Sequence, residues 1–419
     1  MNDTDNQKNV PAFGVTLMGL DGADDIGPKQ KAVLDRATIV AGPGRWLKDL
    51  ENHPSEKIGM GKLDVFLKEV EERSRNAETV VLASGDPNFY GIAKKLLTVI
   101  PPERVTILPS STTVQKAFAR LKTTWAGVIV ESLHGREGFR GLWSALALAG
   151  RSHSTGWVAL YTDPANSPGV VAERMSESGM DHFEMIVFED LDMPSEKTRT
   201  MTLAEAKEAS FSPLNLAVLR RTKKVKDIMV GAPEEAYEHE AGLITKSEVR
   251  ACALSLLELA GTEVLWDVGA GSGSVSIEAS LLLPRGEVWG LEKNPARIAQ
   301  AKRNRSAFGA ANVEFSEGEA LNLLDSLPKP DRIFLGGGGG DLGKIIGAGR
   351  KVLSPGGIVV ASVIGLDSLR AAEESLTVQG ADGKVLPCVL QLAAARSCPL
   401  AGSWYFKPMN QIYLVKNKF

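Results

Sequence analysis

Short apolar runs alternate with amphipathic stretches along most of the chain, and this alternation predicts an α/β fold. Apolar, β-rich runs predict strands at residues 15–20, 39–41, 79–83, 105–108, 128–130, 157–161, 184–188 and 214–219 in the first half. Helices are predicted between them, at residues 28–37, 63–73 and 114–121. Strands that alternate with helices form parallel sheets, and the loops that follow the strand ends bind ligands.

The second half begins with a strand that leads into a glycine-rich turn. Residues 264–268 form an apolar run, and Gly269, Gly271 and Gly273 alternate directly after it. Glycines allow a sharp turn and a close approach of the backbone to a ligand. A helical pattern resumes at Ser274 and stops before Pro284. Such a unit directs the first free N–H groups of the helix toward the crevice where open α/β sheets bind ligands.

The glycine spacing argues against a dinucleotide site. The dinucleotide fingerprint is G-x-G-x-x-G, but here the third glycine comes one position early and Ser274 stands where the fingerprint has glycine. The next predicted strand, residues 287–291, ends in Glu292, whose carboxylate would reach the ribose hydroxyls of a nucleoside. A dehydrogenase is therefore disfavoured. A glycine turn in an unrelated α/β domain stays the alternative.

Asp267, the three glycines and Glu292 together resemble the class I S-adenosylmethionine methyltransferases. The resemblance implies a Rossmann-like domain that binds S-adenosylmethionine, with residues 318–320 at the adenine edge. The cofactor-binding residues expected in this half are Thr245, Asp267, Gly269, Gly271, Gly273, Glu292, Gly318, Glu319 and Ala320. Further strands are predicted at residues 312–316, 331–335 and 357–362, with a last edge strand at residues 411–415.

Length and composition bound the possible functions. A chain of 419 residues predicts two or three domains, and 43% hydrophobic with 24% charged residues is typical of a soluble globular protein. The net charge of -3 gives no general attraction to nucleic acid. Three cysteines without a C-x-x-C pair suit a reducing cytoplasm. No apolar run approaches the roughly 20 residues of a membrane span, so no membrane partner is expected.

Three motifs in the first half follow predicted strands. They are Leu82-Ala-Ser-Gly-Asp-Pro-Asn-Phe-Tyr-Gly91, Pro109-Ser-Ser-Thr-Thr113 and Ser132-Leu-His-Gly-Arg136. In this order they resemble the tetrapyrrole methylase family, in its branch acting late in cobalamin synthesis. The resemblance implies two α/β subdomains, about residues 12–125 and 126–222, with S-adenosylmethionine in the cleft between them. The cofactor-binding residues that it implies are Gly85, Asp86, Pro87, Ser111 and Thr112.

The same motifs also have purely structural explanations. Asp86 and Pro87 are turn formers, and the hydroxyls of residues 110–113 can cap the following helix. His134 and Arg136 are the catalytic candidates of this half, although a histidine is more often structural. Arg136 can pair with a substrate carboxylate. Residues 195–199 match a loop pattern of the same family, and a solvated charge cluster is the default interpretation. The family's first loop usually reads glycine-x-glycine-proline-glycine, whereas residues 19–22 read Gly-Leu-Asp-Gly.

Residues 223–242 predict a linker, because apolar content falls there, and residues 243–419 predict the second domain. Thr245 followed by Glu248 is a capping-box signature at the start of its first helix. Lys246 is the third catalytic candidate, and Lys246 and Arg250 are expected to hold substrate carboxylates. The related family often has aspartate and phenylalanine just after the linker, where this chain has Glu234 and Tyr237.

Two methyltransferase types fused in this order resemble the bifunctional methylases of corrin-ring synthesis. The resemblance implies methylation of a precorrin-type tetrapyrrole at C5 by the first domain. It implies methylation at C15 and decarboxylation of the C12 acetate by the second. One S-adenosylmethionine per domain, no metal and a homo-oligomer are expected. Two variants of this function stay open: one domain without catalysis, and a cobalt-loaded substrate.

A nucleic-acid methyltransferase is disfavoured by residues 334–340. Enzymes that methylate exocyclic amines of bases usually carry an Asn/Asp-Pro-Pro-aromatic clamp after the fourth strand. This chain has Phe-Leu followed by five glycines there, Gly336 to Gly340. A floor without side chains suits a large flat substrate, and a merely flexible loop is the alternative.

Overall fold

The structure is a computed structural model that describes residues 13–22, 26–151, 154–240, 242–336, 341–380 and 383–419. These residues form two compact units. The first contains the residues up to Ala126 together with Phe188–Thr198 and Ser212–Leu216. The second contains Gly127–Val187, Arg199–Phe211 and the residues from Ala217 onward. Strands and helices alternate through both, which confirms the predicted α/β class.

The strands are β1 Val15–Leu20, β2 Ile39–Gly42, β3 Glu56–Gly59, β4 Thr79–Ser84, β5 Val105–Leu108, β6 Ile129–Ser132, β7 Trp157–Tyr161, β8 Phe183–Glu189, β9 Lys197–Thr202, β10 Asn215–Arg221, β11 Val264–Val268, β12 Glu287–Glu292, β13 Val313–Glu317, β14 Arg332–Leu335, β15 Ile358–Val363, β16 Val378–Gly380, β17 Gly383–Val385, β18 Cys388–Leu392, β19 Ala395–Leu400, β20 Ser403–Pro408 and β21 Ile412–Lys418.

The α-helices are α1 Pro28–Leu34, α2 Gly44–Asp49, α3 Leu63–Arg73, α4 Ala93–Leu96, α5 Thr113–Arg120, α6 Arg140–Ala149, α7 Pro168–Glu177, α8 Leu203–Glu208, α9 Ser247–Leu256, α10 Ser274–Leu282, α11 Pro295–Phe308, α12 Ala320–Leu323, α13 Leu342–Val352 and α14 Leu366–Leu376. Short 3-10 helices lie at Pro102–Arg104, Glu234–Ala236 and Leu324–Ser326.

The sheet of the first unit has the order β3-β2-β4-β1-β5, and its strands are parallel. Successive residues Leu17 and Met18 of β1 are both fully buried and belong to different core clusters. The sheet is therefore covered on both faces, which is typical of parallel sheets. Because β4, β1 and β5 are neighbours, the loops that follow them start side by side.

A second sheet has the order β6-β7-β10-β8-β9, and β6 and β7 are parallel. The edge strand β9 includes Lys197, Thr198 and Arg199, three residues of the predicted charge cluster. These side chains are exposed or half-buried, as expected of a solvated charge cluster, but the strand that carries them was not predicted. The alternation of polar side chains in β9 is that of an exposed edge strand, which carries no apolar signal in the sequence.

The third sheet has the order β13-β12-β11-β14-β15-β21-β18. Strands β11 to β15 are parallel, and the chain order reverses between β11 and β14, where open α/β sheets bind ligands. The last strand predicted at residues 411–415 is present as β21, but its predicted position at the sheet edge was wrong. β21 runs antiparallel between β15 and β18, and its Leu414 and Val415 are fully buried.

The segment expected to be a linker, residues 223–242, packs onto the second unit. The Lys226 amide donates to the Ala307 carbonyl oxygen (2.8 Å), and the Gly231 amide donates to Glu278 Oε2 in α10 (2.8 Å). Ala232 and Tyr237 belong to the apolar core of this unit. The domain boundary stays a prediction, but these contacts make residues 230–238 part of a folded surface.

The same unit also contains α6 and α7, which precede that segment. Ser144 Oγ of α6 donates to the Pro284 carbonyl oxygen (2.6 Å). The Arg305 guanidinium of α11 donates to the Ser178 carbonyl oxygen (2.6 Å). These hydrogen bonds join residues of the predicted subdomain 126–222 to residues of the predicted domain 243–419. Experiments on this chain therefore need its full length.

Candidate functional site

The glycine loop after β11 has a backbone that side chains would disturb. Gly269, Gly271 and Gly273 have φ angles of +79°, +56° and +80°. A Cβ atom on Gly273 would lie 2.5 Å from the ring of Phe315. On Gly271 it would meet no described atom within 4 Å. The loop therefore needs glycine at Gly273 for packing, and it faces open space at Gly271.

Asp267 connects the end of β11 to the start of α10. It is 1% exposed, and its carboxylate accepts hydrogen bonds from the hydroxyl (2.5 Å) and backbone N–H of Ser276. Ser276 lies in the first turn of α10, where backbone N–H groups lack partners inside the helix. Burial raises the pKa of Asp267 to about 6. Asp267 thus caps α10 from the strand, and a direct contact with a cofactor stays a prediction.

Glu292 lies at the end of β12, beside the glycine loop. One carboxylate oxygen accepts from the Gly271 amide (3.1 Å) and the other from the Asn294 amide (2.9 Å). The side chain is largely buried. A carboxylate oxygen has two lone pairs, so each oxygen can accept one more hydrogen bond. Glu292 therefore fixes the loop and keeps the capacity to accept from ribose hydroxyls.

The outer edge of the site follows β13. The Gly318 amide donates to the Glu292 carbonyl oxygen (3.0 Å). Glu319 is exposed and lies 3.4 Å from Lys293, and Ala320 begins α12. The structure thus brings the predicted cofactor residues that follow β11, β12 and β13 to adjacent strand ends. Residues 337–340 of the predicted glycine run lie outside the described residues.

These groups fit an S-adenosylmethionine ligand. Ser272 in the glycine loop is 3% exposed, and its hydroxyl has no hydrogen-bond partner among the described atoms. A buried hydroxyl without a partner is costly, so a polar group from a ligand would stabilise it. Sequence reasoning missed Ser272, although its place between two predicted glycines was the available signal.

The start of α9 differs from its prediction. Lys246 is the N-cap residue, and no side chain of the cap accepts a hydrogen bond. The capping box of Thr245 and Glu248 was wrong, because Glu234 accepts the hydrogen bond from the Ser247 amide (2.8 Å) instead. Thr245 is half-buried. Its predicted cofactor contact stays a prediction.

Arg250 was expected to bind a substrate carboxylate, and this prediction was wrong. Its side chain is fully buried, and its Nε donates to Glu278 Oε1 of α10 (2.7 Å). Tyr237 Oη donates to the same oxygen (3.0 Å), and burial raises the pKa of Tyr237 beyond the ordinary range. A buried guanidinium requires such a partner. Glu278 was missed, because nothing in the sequence links it to Arg250.

In the first unit, Gly85 begins the loop after β4. It has a φ of +65°, and a Cβ atom there would lie 3.0 Å from the Ser111 carbonyl oxygen. Asp86 Oδ1 accepts from the Asn88 amide (2.9 Å), and the Pro87 carbonyl oxygen accepts from the Ala93 amide (3.1 Å). The Phe89 amide donates to the Asp86 carbonyl oxygen (3.1 Å), so residues 86–89 form a β-turn. The β-turn interpretation holds for the backbone, and the cofactor role of Gly85, Asp86 and Pro87 stays a prediction.

The loop after β5 ends in a helix cap, as predicted. Thr112 is the N-cap of α5: its hydroxyl accepts from the Gln115 amide (3.1 Å), and Gln115 Oε1 accepts from the Thr112 amide (2.7 Å). Ser111 lies beside it on a cavity of about 590 Å³. The cavity is lined by Asp21, Gly27, Pro28, Lys29, Gln30, Leu108, Pro109, Ser110, Ser111 and Gln115.

Asp21, in the loop after β1, is a residue that sequence reasoning did not assign. It accepts from Ser110 Oγ (2.5 Å) and pairs with Lys116 of α5 (2.8 Å). Lys116 also pairs with Asp192 (2.7 Å). Burial alone would raise the pKa of Asp21, but the hydrogen bonds from Lys116 and Ser110 outweigh it and lower that pKa. The signal was the departure of residues 19–22 from the family pattern.

His134 and Arg136 follow β6 in the second unit, and both are exposed. His134 Nδ1 lies 3.4 Å from the Thr162 carbonyl oxygen, and Arg136 lies 3.2 Å from Glu131. The Gly135 amide between them donates to Asp163 Oδ2 (2.6 Å). That hydrogen bond is the main reason why the pKa of Asp163 is lowered. Asp163, which follows the neighbouring strand β7, therefore shapes this loop and was missed.

The described part of the chain contains no cluster of histidine, cysteine, aspartate and glutamate side chains that could hold a metal ion. None of the helices in the described ranges has the length and apolar character of a membrane span.

Two protein families match consecutive parts of the chain. The tetrapyrrole (corrin/porphyrin) methylases match residues 18–207. The precorrin methyltransferase domain matches residues 235–416. The first match includes β1 to β9 with the loops that follow β1, β4 and β5, and the second includes the loops that follow β11, β12 and β13.

Relatives with both halves are known. The chain is 30% identical over 404 residues to precorrin-6Y C(5,15)-methyltransferase [decarboxylating] of Sinorhizobium sp, covering 95% of this chain and 94% of that protein. It is 28% identical to the protein of the same name from Mycobacterium tuberculosis H37Rv, covering 88% of this chain and 91% of that protein. Its second half is 40% identical to cobalt-precorrin-6B C(15)-methyltransferase (decarboxylating) of Salmonella typhimurium, covering 41% of this chain and 87% of that protein.

Proposed function

The chain belongs to the family of decarboxylating precorrin-6Y C5,15-methyltransferases, and from this premise we propose that it methylates a precorrin-6-type tetrapyrrole at C5 and C15 in cobalamin biosynthesis. The C12 acetate of the substrate loses carbon dioxide in the same enzyme. The observation that carries the proposal is the similarity to the Sinorhizobium relative, which runs through both candidate sites rather than through one half.

S-adenosylmethionine is the methyl donor, and each half binds one molecule in this proposal. The first half would hold it with Gly85, Asp86, Pro87, Ser111 and Thr112. The second would hold it with Thr245, Asp267, Gly269, Gly271, Gly273, Glu292, Gly318, Glu319 and Ala320. When bound, the cofactor supplies an electrophilic methyl group on a sulfonium.

The side chains of this protein need not form a covalent intermediate. An electron-rich carbon of the macrocycle can accept a methyl group directly, so the protein contributes alignment and exclusion of water. The conjugated macrocycle can take up the electron pair that the departing carbon dioxide leaves behind. Because the cofactor and the macrocycle supply the reacting groups, the candidate sites can consist of glycines, helix-capping residues and carboxylates without a nucleophile and its base.

Cationic side chains near the two candidate sites would bind the carboxylates of the substrate. Arg136 is the candidate in the first half, where its guanidinium is exposed, and His134 lies two residues before it. Lys246 is the candidate in the second half. We assign C5 methylation to the first half, and C15 methylation with decarboxylation to the second. The homo-oligomer and the cytoplasmic location stay predictions from the sequence.

The test is mass spectrometry of the macrocycle after reaction of the full-length protein with S-adenosylmethionine and a precorrin-6-type tetrapyrrole, offered metal-free and cobalt-loaded. We expect a product with two added methyl groups and one carbon dioxide fewer. Gly271→Asn tests the second site, because asparagine tolerates a left-handed backbone and its side chain would fill the open space. Gly85→Asn tests the first.

Each variant should remove one methylation and leave the other. Gly356→Asn is the matched control, because Gly356 also has a positive φ (+75°) and lies at the opposite end of the sheet, just before β15. An unmethylated macrocycle with the folded wild-type protein would refute the proposed function. Loss of both methylations in either glycine variant would refute the assignment of one donor site to each half.

A further inference from the structure

The backbone around Lys246 is held from both sides by residues distant in sequence. On one side, the Ser247 amide donates to Glu234 Oε1 (2.8 Å). On the other, the Arg250 guanidinium donates to the Thr245 carbonyl oxygen. The Arg250 amide also donates to the Lys246 carbonyl oxygen within α9 (2.9 Å). Two hydrogen bonds from outside the first turn of α9 therefore fix the peptides on either side of Lys246.

Arg396 holds Glu234 in place. It extends from β19, donates to both oxygens of Glu234 (2.7 and 2.9 Å), and donates to both oxygens of Glu248 (2.8 and 2.6 Å). It also donates to Ser247 Oγ (2.9 Å). Paired guanidinium–carboxylate hydrogen bonds are strong and fix geometry in two directions. One side chain thus connects the β19–β20 hairpin to the segment before α9 and to its first turn.

The hydrogen bonds from Arg396 favour the ionised form of both carboxylates. The hydrogen bonds from Arg396 lower the pKa of Glu234 to about 2, and those on Glu248 lower its pKa to about 2. Both carboxylates are therefore ionised near neutral pH. Glu234 is 6% exposed, so its charge depends on Arg396 for compensation.

The side chain of Lys246 is left without a partner by this arrangement. Lys246 is half-buried, and its ammonium has no hydrogen bond or ion pair among the described residues. Both nearby carboxylates, Glu234 and Glu248, are occupied by Arg396. An ammonium without a counter-charge among the described residues favours an anionic ligand.

We propose that Glu234 and Arg396 are positioning residues for the second methylation site, where they hold Lys246 so that its ammonium binds a carboxylate of the tetrapyrrole substrate. This inference rests on the proposed function. Glu234 and Arg396 act only through the peptide of residues 245–247. They control how well the substrate is held, and they leave the cofactor loop between β11 and α10 unchanged.

The test compares Lys246→Met, Arg396→Gln and the double variant in the full-length protein. In each we expect KM for the tetrapyrrole in C15 methylation to rise about tenfold, the loss expected for one charge-assisted contact. The kcat of that step should change less. Affinity for S-adenosylhomocysteine and methylation at C5 should stay at wild-type values. Arg370→Gln is the control, because within the described ranges Arg370 pairs with exposed Glu374 alone, in the next turn of α14.

The double variant separates positioning from general stabilisation. If Arg396 acts through Lys246, replacing Arg396 should not raise KM further in a protein that already lacks the Lys246 ammonium. The double variant should therefore have the same KM as Lys246→Met. The inference would be overturned if the KM increases of the two single variants multiplied in the double variant, or if Arg396→Gln kept the wild-type KM. The proposed function would still stand in that case, because the wild-type protein would still carry out both methylations. Absence of both methylations in the wild type would instead remove the proposed function. Glu234→Asp should restore part of what Glu234→Gln loses.

Discussion

The two candidate donor sites use similar strand-end loops but are held by different interactions. In the first unit, Lys116 forms ion pairs with Asp21 and Asp192, and these carboxylates are about one-quarter to one-third exposed. In the second unit, Asp267 and Glu292 are almost fully buried and accept from backbone amides and from a serine hydroxyl.

The two kinds of interaction predict different sensitivities of the two sites to salt, pH and nearby substitutions. Ion pairs near the surface are weakened by dissolved salt and by loss of one long side chain. Buried carboxylates on backbone amides are screened much less, but they depend on the dense core around them. We expect the first site to respond to charge and ionic strength, and the second to respond to core substitutions and pH.

The largest predicted effect concerns the buried charge that supports the second site. Arg250→Met leaves Glu278 buried without its cation, which costs about 3–5 kcal/mol in the free energy of unfolding. Arg120→Met removes the exposed pairs with Asp192 and Glu196 in the first unit and should cost about 0–1 kcal/mol. Urea denaturation of both variants measures the difference. Equal losses would contradict the comparison.

The second prediction uses the pKa of Asp267. Because this pKa is raised from 3.8 to about 6, the folded state binds the proton more tightly than the unfolded state. Stability from this group is therefore lost as pH rises from about 4 to 6. Asp267→Asn removes that loss, so the stability of the variant relative to wild type should rise by about 2–3 kcal/mol between pH 4 and pH 8. Thermal unfolding at both pH values tests this, and a pH-independent difference would refute it.

The third prediction concerns the ion pairs of the first site. Lys116→Gln leaves Asp21 without its cation and loosens the loop beside Ser111. We expect S-adenosylhomocysteine to bind about fivefold more weakly at the first site, as for the loss of a partly exposed charged contact. The second site should keep its affinity. Calorimetric titration resolves the two sites. Lys344→Gln is the control, because it removes an exposed ion pair with Asp341, the one ion pair of Lys344 in the described part of the chain.

The smallest predicted effect is that of salt. Raising the ionic strength from 0.1 to 1 M shortens the Debye length from about 10 to 3 Å. We expect binding of S-adenosylhomocysteine to weaken about twofold at the first site and to change less at the second. Titrations of the same protein preparation at both salt concentrations measure this. A larger loss at the second site would reverse the comparison.

Much of the fold was predictable, because strands with continuous apolar runs carry a local signal. β1, β5, β7 and β11 have the predicted bounds. The Thr112 cap and the glycine turn after β11 also follow from short-range rules. The edge strand β9 was missed, because its polar side chains leave no apolar pattern. The β19–β20 hairpin was missed although Trp404, Tyr405 and Phe406 are adjacent aromatic residues, and the structure leaves all three exposed.

The site was predictable where its chemistry lies in one stretch of sequence. Arg250 of α9 and Glu278 of α10 lie on different helices, so no local pattern indicates that Arg250 is buried. Thr245 does not cap α9, because the helix begins one residue later than predicted. The amide of its first residue, Ser247, donates to Glu234, which lies 13 residues earlier in an expected linker. Pairings of this kind depend on how elements pack, which no local spacing encodes.

The central claim is that this one chain carries two methyl-donor sites. It is tested most directly by calorimetric titration of S-adenosylhomocysteine into the full-length wild-type protein, with Gly85→Asn and Gly271→Asn measured beside it. We expect the wild type to bind two equivalents of S-adenosylhomocysteine and each folded variant to bind one. A single equivalent in the wild type, lost in one glycine variant and unchanged in the other, would contradict it.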